Sequence, residues 1–214
     1  MFWLMKNNLH YEIDNYPATT LIAGFDEVGR GAIAGPIVVA SVILPPDFSY
    51  PLIKDSKQLS AKQRTMLYQI IMTKALAVTV SIKSHQFVDI HNPKQTSILA
   101  MITAFMKLPI MPAVCLIDFE KPQFPNFLGK VVPLVKGDQK SLNIASAAII
   151  AKVVRDKIMI DYDSKYPNYG FKKHKGYYTK SHQLALQNYG ACDIHRLTYA
   201  PIKKYPKKLF VKNC

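Results

Sequence analysis

Three apolar segments of this sequence, each predicted to be a strand, end at or just before an acidic residue. Asp26 and Glu27 follow the first segment, Asp118 follows the second, and Asp138 comes three residues after the third. A charged carboxylate at a buried strand end is costly unless a counter-charge or a metal ion offsets it. Taken singly, each acid is also explained by capping a helix or pairing with a lysine. Three such ends in one chain indicate a sheet with an acidic edge.

Strands come first and then alternate with helices, which indicates an α/β or α+β sheet protein. Apolar runs rich in β-branched residues predict strands, and caps followed by apolar residues at helical spacing predict helices. The predicted strands cover 21–26, 37–44, 77–82, 114–118 and 131–135, and the predicted helices cover 60–75, 92–106, 141–162 and 181–189.

The chain carries a large excess of positive charge. It has 28 Lys and Arg against 14 Asp and Glu, a formal net charge of +14. Such an excess favours a polyanionic partner, either nucleic acid or an anionic membrane face, over a merely soluble basic protein. Residues 172–214 hold nine Lys and one Arg against one acid, interleaved with tyrosines. That mixture is typical of a nucleic-acid-binding groove.

Composition and cysteine usage exclude several classes of protein. Hydrophobic residues make up 49% and charged residues 20%, which excludes wholesale disorder. Cys115, Cys192 and Cys214 have no C-x-x-C spacing, so neither a disulfide framework nor a zinc site is supported. The longest apolar run, 37–44, is far shorter than the ~20 residues that cross a bilayer. We therefore expect a soluble, cytoplasmic protein with no membrane partner, and Cys115 in its core.

Neighbouring strands of one orientation would bring Asp26, Asp118 and Asp138 to one edge of the sheet. Like charges gathered there raise one another's pKa values unless a cation neutralises them. Carboxylate ligands without a cysteine cluster favour Mg²⁺ or Mn²⁺ over zinc. Two such ions ~4 Å apart can activate a water and stabilise the leaving oxygen in phosphodiester hydrolysis.

Glu27 poses a geometric question because it is adjacent to Asp26. In an ideal strand the two side chains point to opposite faces. Both can serve one site only if the chain bends there, and Gly29 permits such a bend.

Six blocks of the sequence resemble, in order, those of ribonuclease HII, the type-2 ribonuclease H. They are Ala-Gly-Phe-Asp-Glu-Val-Gly-Arg-Gly at 23–31 with Ala-Gly-Pro at 34–36, Asp-Ser-Lys-Gln-Leu at 55–59, Leu-Ile-Asp at 116–118, the long-helix block at 136–156, His-Lys-Gly-Tyr at 174–177, and Ile-His-Arg at 194–196. The resemblance implies an α/β ribonuclease H-like fold, with a mixed central β-sheet flanked by helices and a small helical C-terminal region. Residues 1–18 are mixed and polar and are predicted to form a poorly committed leader. The resemblance implies a catalytic domain over 19–170 and a basic helical region over 171–214 that contacts substrate.

The resemblance also implies a metal-dependent endoribonuclease, and a monomer is the default expectation for its oligomeric state. Its substrates would be RNA/DNA hybrids and duplex DNA with a single embedded ribonucleotide, incised on the 5′ side to leave 3′-hydroxyl and 5′-phosphate ends. The family's catalytic, metal-binding quartet falls on Asp26, Glu27, Asp118 and Asp138, which would hold two Mg²⁺ or Mn²⁺ ions.

The resemblance also assigns recognition of the substrate to two further segments of this chain. The backbone of Gly29, Arg30 and Gly31 would contact the ribose 2′-hydroxyl, although a tight turn alone would also explain the two glycines. Tyr177 would bond the same hydroxyl and stack on the neighbouring deoxyribose.

Two lysines complete the expected substrate contacts. By the same resemblance, Lys57 would approach the backbone phosphate near the metals and Lys175 is a looser candidate for that role, and each is alternatively a surface lysine. Two other functions remain alternatives. One is a catalytically inactive nucleic-acid-binding protein, and the other is a different ribonuclease H-like nuclease, such as the type III enzyme.

Overall fold

A computed structural model describes residues 9–53, 56–118 and 120–205. A five-stranded sheet has the order β3-β2-β1-β4-β5, formed by β1 (Ile22–Val28), β2 (Ile37–Ile43), β3 (Ala77–Lys83), β4 (Val114–Asp118) and β5 (Lys130–Leu134). β1 runs antiparallel to β2 and parallel to β4, and β4 runs parallel to β5. The predicted mixed sheet and all five predicted strands are confirmed.

The helices account for most of the remaining described chain. They are α1 (Tyr11–Asn15), α2 (Ala61–Lys74), α3 (His85–Met106), α4 (Leu142–Lys165), α5 (Phe171–His174), α6 (Lys180–Tyr189) and α7 (Ala200–Lys203), with short 3₁₀ helices at Ser56–Gln58 and Gly137–Gln139. Among the described residues, no helix combines the length and apolarity that crossing a bilayer requires.

Local signals explain where most helices begin. Ser60 and Gln63 form a reciprocal capping box at the start of α2. Asn92 interrupts α3 with a φ of 59°, and its side chain accepts a hydrogen bond from the Gln95 backbone. Asn92 therefore caps the predicted helix, while the helical residues before the interruption were not predicted. α6 begins one residue before the predicted Ser181, because Thr179 provides its cap.

The predicted leader over 1–18 contains an ordered element, α1. The Tyr11 backbone N–H donates to the Lys140 carbonyl over 3.1 Å, which ties this helix to the segment preceding α4. The predicted boundaries at 18/19 and 170/171 remain predictions. Asp55 of the second block, Cys214, and the outer ends of the predicted leader and basic region (1–8 and 206–214) lie outside the described residues.

The described chain divides into two compact units. The first contains the described residues within Met1–Val28, Val38–Ser81 and Ser97–Val153. Its strands alternate between two core clusters with the period of two that a pleated strand imposes. Phe25 and Cys115 belong to one cluster, and Ile22 and Val114 belong to the other. The prediction that Cys115 is a core residue is confirmed.

The second unit contains the described residues within Gly29–Ile37, Ile82–Thr96 and Val154–Cys214. Its core is aromatic, with the rings of Tyr169 and Phe171 stacked 5.3 Å apart. Two arginines, Arg155 and Arg196, are also fully buried. Burying a guanidinium is costly unless its donors are satisfied, and in this unit they bind backbone carbonyls.

Candidate active site

The register between β1 and β4 sets the centre of the acidic edge. Phe25 pairs with Ile117 in the parallel ladder, so the next residues, Asp26 and Asp118, lie side by side where these strands diverge. Asp118 is the last residue of β4. The predicted convergence of these two strand ends is therefore confirmed.

Asp138 is brought to the same edge by a tight turn after β5. Lys136 adopts the left-handed conformation with a φ of 56°, and the following 3₁₀ helix carries Asp138 into a buried position. A Cβ atom on Gly137 would lie 2.6 Å from Cδ1 of Ile144, so a larger residue here would displace the end of that side chain. The Gly137 backbone N–H donates to Oδ1 of Asp118 over 2.8 Å, which ties the turn to the end of β4.

Electrostatics link all four acids. Burial and the charges of Glu27, Asp118 and Asp138 hold the pKa of Asp26 well above its usual value. A hydrogen bond from the Glu27 backbone N–H to Oδ1 of Asp26, 2.7 Å long, opposes this shift without cancelling it. Ionisation of Asp26 is therefore disfavoured at this edge, which a bound cation would reverse.

The pairing of β1 with β2 is not interrupted at Asp26 and Glu27, where a bend would let both side chains serve one site. Antiparallel pairing with β2 continues through Glu27 opposite Val39 and ends at Val28, so β1 extends beyond the predicted strand end. The turn begins at Gly29, which has a φ of 102°. β4 has already left the ladder at that point, because its last pair with β1 is Phe25 with Ile117.

Lys57 contacts the acidic edge directly. Its Nζ atom lies 3.2 Å from Oδ2 of Asp138, with 78% of the Lys57 side chain exposed and 4% of the Asp138 side chain. Arg64 holds the short 3₁₀ helix that carries Lys57, donating to the Ser56 carbonyl over 3.1 Å. An ammonium this exposed adds little to stability, but it places a positive charge beside a buried carboxylate.

The donor chemistry of the acidic edge fits a divalent cation. Within the described ranges, no three acidic, histidine or cysteine side chains already form a ligand set for an ion. Burial first, and then the charges of the neighbouring carboxylates, raise the pKa of Asp26, and those carboxylates are the hard oxygen donors that such a cation prefers. That Asp26, Glu27, Asp118 and Asp138 together hold Mg²⁺ or Mn²⁺ remains a prediction.

In the second unit, Arg155 supports the segment that follows the Gly-Arg-Gly turn. Its Nε donates to the Pro36 carbonyl over 2.9 Å and its Nη2 to the Ala34 carbonyl over 3.1 Å. Burial lowers the pKa of this guanidinium to about 10, still well above neutral pH. It therefore remains a charged donor to backbone dipoles.

Arg196 supports the turn itself. Its Nη1 donates to the Arg30 carbonyl over 3.1 Å, and the Tyr199 hydroxyl donates to the same oxygen over 2.7 Å. Gly31 is exposed, and a Cβ atom there would meet nothing within 4 Å. The peptide groups of this turn are therefore held from the core side.

Tyr177 lies in a segment that Arg155 also holds. Nη1 of Arg155 donates to the Lys175 carbonyl over 2.8 Å, and its guanidinium lies 5.4 Å from the centre of the Tyr177 ring. The Ile33 backbone N–H donates to the Gly176 carbonyl over 2.9 Å. The Lys175 side chain turns back to donate to the Lys172 carbonyl.

Sequence reasoning missed the residues that support the candidate site. In the sequence, Arg155 stands out only as part of a family block, and nothing marks His182. One signal was available for Arg155: it follows an apolar stretch of α4 at spacing that places it on a buried face. No local pattern indicated which carbonyls it would bind.

Comparison with known proteins gives one consistent result. The sequence model of the family described as ribonuclease HII matches residues 23–202. The ribonuclease HII of Mycoplasma mycoides subsp. mycoides SC is 50% identical over 190 residues, which cover 88% of this chain and 91% of that protein.

Solved structures share the fold. The ribonuclease H2 of Pyrococcus horikoshii OT3 superposes with a TM-score of 0.75 at 25% identity, covering 86% of this chain and 96% of that one. Bst-RNase HIII, solved in complex with Mn²⁺, superposes with a TM-score of 0.67 at 20% identity, covering 86% and 68% of the two chains. The predicted ribonuclease H-like fold is confirmed.

Proposed function

This chain belongs to the ribonuclease HII family and is a ribonuclease H hydrolase, and we propose that it incises duplex DNA on the 5′ side of a single embedded ribonucleotide. Long RNA/DNA hybrids are its second substrate. Cleavage depends on a divalent cation, as in the ribonuclease H family generally, and it leaves 3′-hydroxyl and 5′-phosphate ends.

The register of Phe25 with Ile117 is the observation that carries this proposal. It sets Asp26 beside Asp118, and the raised pKa of Asp26 reports the charges of Glu27 and Asp138 nearby. A protein that only binds nucleic acid gains nothing from clustered carboxylates, because they repel phosphate. The arrangement therefore favours a phosphodiesterase over an inactive binder.

Each acid has a defined role in the proposal. Asp26, Glu27, Asp118 and Asp138 hold two Mg²⁺ or Mn²⁺ ions, which when bound supply an activated water and stabilise charge on the departing O3′. The Gly137 N–H fixes the Asp118 carboxylate and the Glu27 N–H fixes that of Asp26.

In this proposal, residues of the second unit recognise the ribonucleotide. Backbone groups of Gly29, Arg30 and Gly31 read the ribose 2′-hydroxyl, which can both donate and accept a hydrogen bond. Tyr177 bonds the same hydroxyl and packs on the next deoxyribose, so that a second ribose is disfavoured. The 2′-hydroxyl selects the bond and is not the nucleophile.

The acids are tested by Asp118→Asn beside Asp47→Asn, a matched change at an exposed acid. Asp118→Asn should lower the rate by at least about a hundredfold while binding of a ribonucleotide-containing duplex persists. Asp47→Asn should cleave like the wild type. If Asp118→Asn retained its turnover, Asp118 would not be one of the catalytic acids and the proposed set would be wrong.

The incision chemistry is tested on a labelled duplex with one ribonucleotide, incubated with Mg²⁺, with Mn²⁺ or with EDTA. The products should end in a 3′-hydroxyl and a 5′-phosphate, and EDTA should abolish them. Cyclic 2′,3′-phosphate ends would refute the role given to the 2′-hydroxyl.

A further inference from the structure

Tyr177 lies at one end of a line of hydrogen bonds that runs through two buried histidines. Nδ1 of His182 is 2.9 Å from the Tyr177 carbonyl oxygen, and Nε2 of His182 is 3.0 Å from Nε2 of His195. At the far end, the Cys192 backbone N–H donates to Nδ1 of His195 over 2.9 Å. Both rings are buried, so these contacts are shielded from competing water.

The Cys192 amide fixes the direction of every bond in this line. A backbone N–H can only donate, so Nδ1 of His195 accepts and the proton of a neutral ring lies on Nε2. That N–H donates to Nε2 of His182, which leaves the His182 proton on Nδ1. Nδ1 of His182 then donates to the Tyr177 carbonyl, so all three contacts are satisfied.

The opposite direction leaves two contacts repulsive. It would set the lone pair on Nδ1 of His182 against the Tyr177 carbonyl, and an N–H of His195 against the N–H of Cys192. In return it gains only a donor to the Cys192 carbonyl, 3.2 Å from Nδ1 of His195. The Cys192 Sγ atom, also 3.2 Å from Nδ1, can donate its thiol proton only in the first direction.

Both rings are neutral at physiological pH. Burial lowers the pKa of His182 to about 3 and that of His195 to about 4. The ring of His174 stacks on His182 with centres 4.2 Å apart and accepts from the Gly176 backbone N–H over 3.2 Å. Histidines therefore hold two consecutive residues, Gly176 and Tyr177.

We propose that His182 and His195 are positioning residues, which through this hydrogen-bond relay hold the Tyr177 backbone for recognition of a single ribonucleotide. The inference rests on the role given to Tyr177 under Proposed function. The Tyr177 carbonyl also accepts from the Thr179 N–H over 3.0 Å. With two donors on one oxygen, the peptide plane is fixed, and the direction of the Tyr177 Cα–Cβ bond with it. A side chain held in advance loses less conformational freedom when substrate binds.

Two substitutions at His182 separate the two halves of the relay. Asn places an amide N–H at the position of Nδ1, so His182→Asn retains the bond to Tyr177 and loses the bond to His195. Gln places its amide at the position of Nε2, so His182→Gln retains the bond to His195 and loses the bond to Tyr177. His10→Gln, at an exposed histidine, is the matched control.

The measurement is the ratio of kcat/KM for a single-ribonucleotide duplex to kcat/KM for a long hybrid. A general loss of folded protein lowers both values and leaves their ratio unchanged. His182→Gln should lower the ratio about tenfold, the effect of one lost hydrogen bond on a positioned group. His182→Asn should lower the ratio by less than His182→Gln does, and His10→Gln should match the wild type.

Nitrogen-15 NMR of the histidine rings reads the relay without any substrate. At pH 7 the His182 proton should lie on Nδ1 and the His195 proton on Nε2, and His182→Gln should remove the His182 signals alone. The opposite tautomers, or a charged ring at either position, would overturn the relay.

Tyr177→Ala, measured alongside, separates the two hypotheses. If Tyr177→Ala lowers the ratio and His182→Gln does not, the positioning role is overturned while the role of Tyr177 survives. If Tyr177→Ala leaves the ratio unchanged, the recognition role of Tyr177 fails, and the tautomers still decide whether the relay exists.

Discussion

Gly29 and Arg155 occupy adjoining space that leaves no room for a side chain on the glycine. A Cβ atom at Gly29 would collide with Nε of Arg155 and lie 2.8 Å from the Pro36 carbonyl oxygen. The φ of Gly29, 102°, is itself unfavourable for any other residue. Gly31, two residues later, has open space around it.

We predict that Gly29→Ala lowers the free energy of unfolding by at least about 2 kcal/mol, because backbone strain and displacement of a buried arginine add together. Gly31→Ala, the matched control, should change it by less than about 0.5 kcal/mol. Urea denaturation of the two variants checks both values. Equal destabilisation would show that the packing against Arg155 is not what restricts Gly29.

Arg155 is predicted to tolerate neither Met nor Lys. Arg155→Met removes the donor of two buried carbonyls, of Pro36 and Ala34, and of the part-buried Lys175 carbonyl, which should cost about 3 kcal/mol. Arg155→Lys should recover little of that, since an ammonium cannot reproduce the planar fork. Lys157→Met, at an exposed position of α4, is the control for losing a positive charge. If urea denaturation gave Arg155→Lys the same free energy of unfolding as the wild type, this prediction would be wrong.

Glu12 caps α4 from a position 129 residues away in sequence. Its Oε1 accepts from the Ser141 hydroxyl over 2.5 Å and from the Asn143 backbone N–H over 3.0 Å, and its Oε2 accepts from the Leu142 N–H over 3.2 Å. Glu12→Ala should lower the free energy of unfolding by about 1 to 2 kcal/mol, because a carboxylate at a helix start satisfies free N–H groups. Asp14→Ala, at an exposed acid of α1, should cost much less.

Stability is predicted to fall as the pH is lowered below about 6.5. The pKa values of His182 and His195 are lowered to about 3 and about 4 in the folded protein, and both rings titrate near 6.5 when unfolded. Between those limits the unfolded chain binds protons that the folded chain does not, so acid favours unfolding. Each histidine contributes a slope approaching about 1.4 kcal/mol per pH unit. Denaturation at pH 7, 6 and 5 should show a shallower slope in His182→Asn, and an unchanged slope would contradict the prediction.

Mn²⁺ alone is predicted to raise the melting temperature, because a cation offsets the burial and the carboxylate repulsion that raise the pKa of Asp26. An ion at about five times its dissociation constant stabilises by about 1 kcal/mol. Asp118→Asn should lose most of this shift and Asp47→Asn should keep it. A shift of equal size in both variants would point to ion binding elsewhere.

The local sequence was sufficient to predict the strands and the acids at their ends. Runs of β-branched residues and helix caps act over a few neighbours, so all five strands and the Ser60 and Asn92 caps could be predicted. Asp26 and Asp118 stood out because charge is costly beside apolar strands. The roles of Tyr177 and of the Gly-Arg-Gly turn came instead from resemblance to a family, and they remain proposals.

Only the tertiary structure decided which groups these residues meet. Arg155 bonds carbonyls 119 to 121 residues earlier in the chain and 20 residues later, and Glu12 reaches the start of α4. The direction of the relay from His195 through His182 depends on one backbone amide, that of Cys192. Sequence periodicity shows which face of an element is buried, but a buried polar group takes whichever partner the packed chain brings within hydrogen-bond distance.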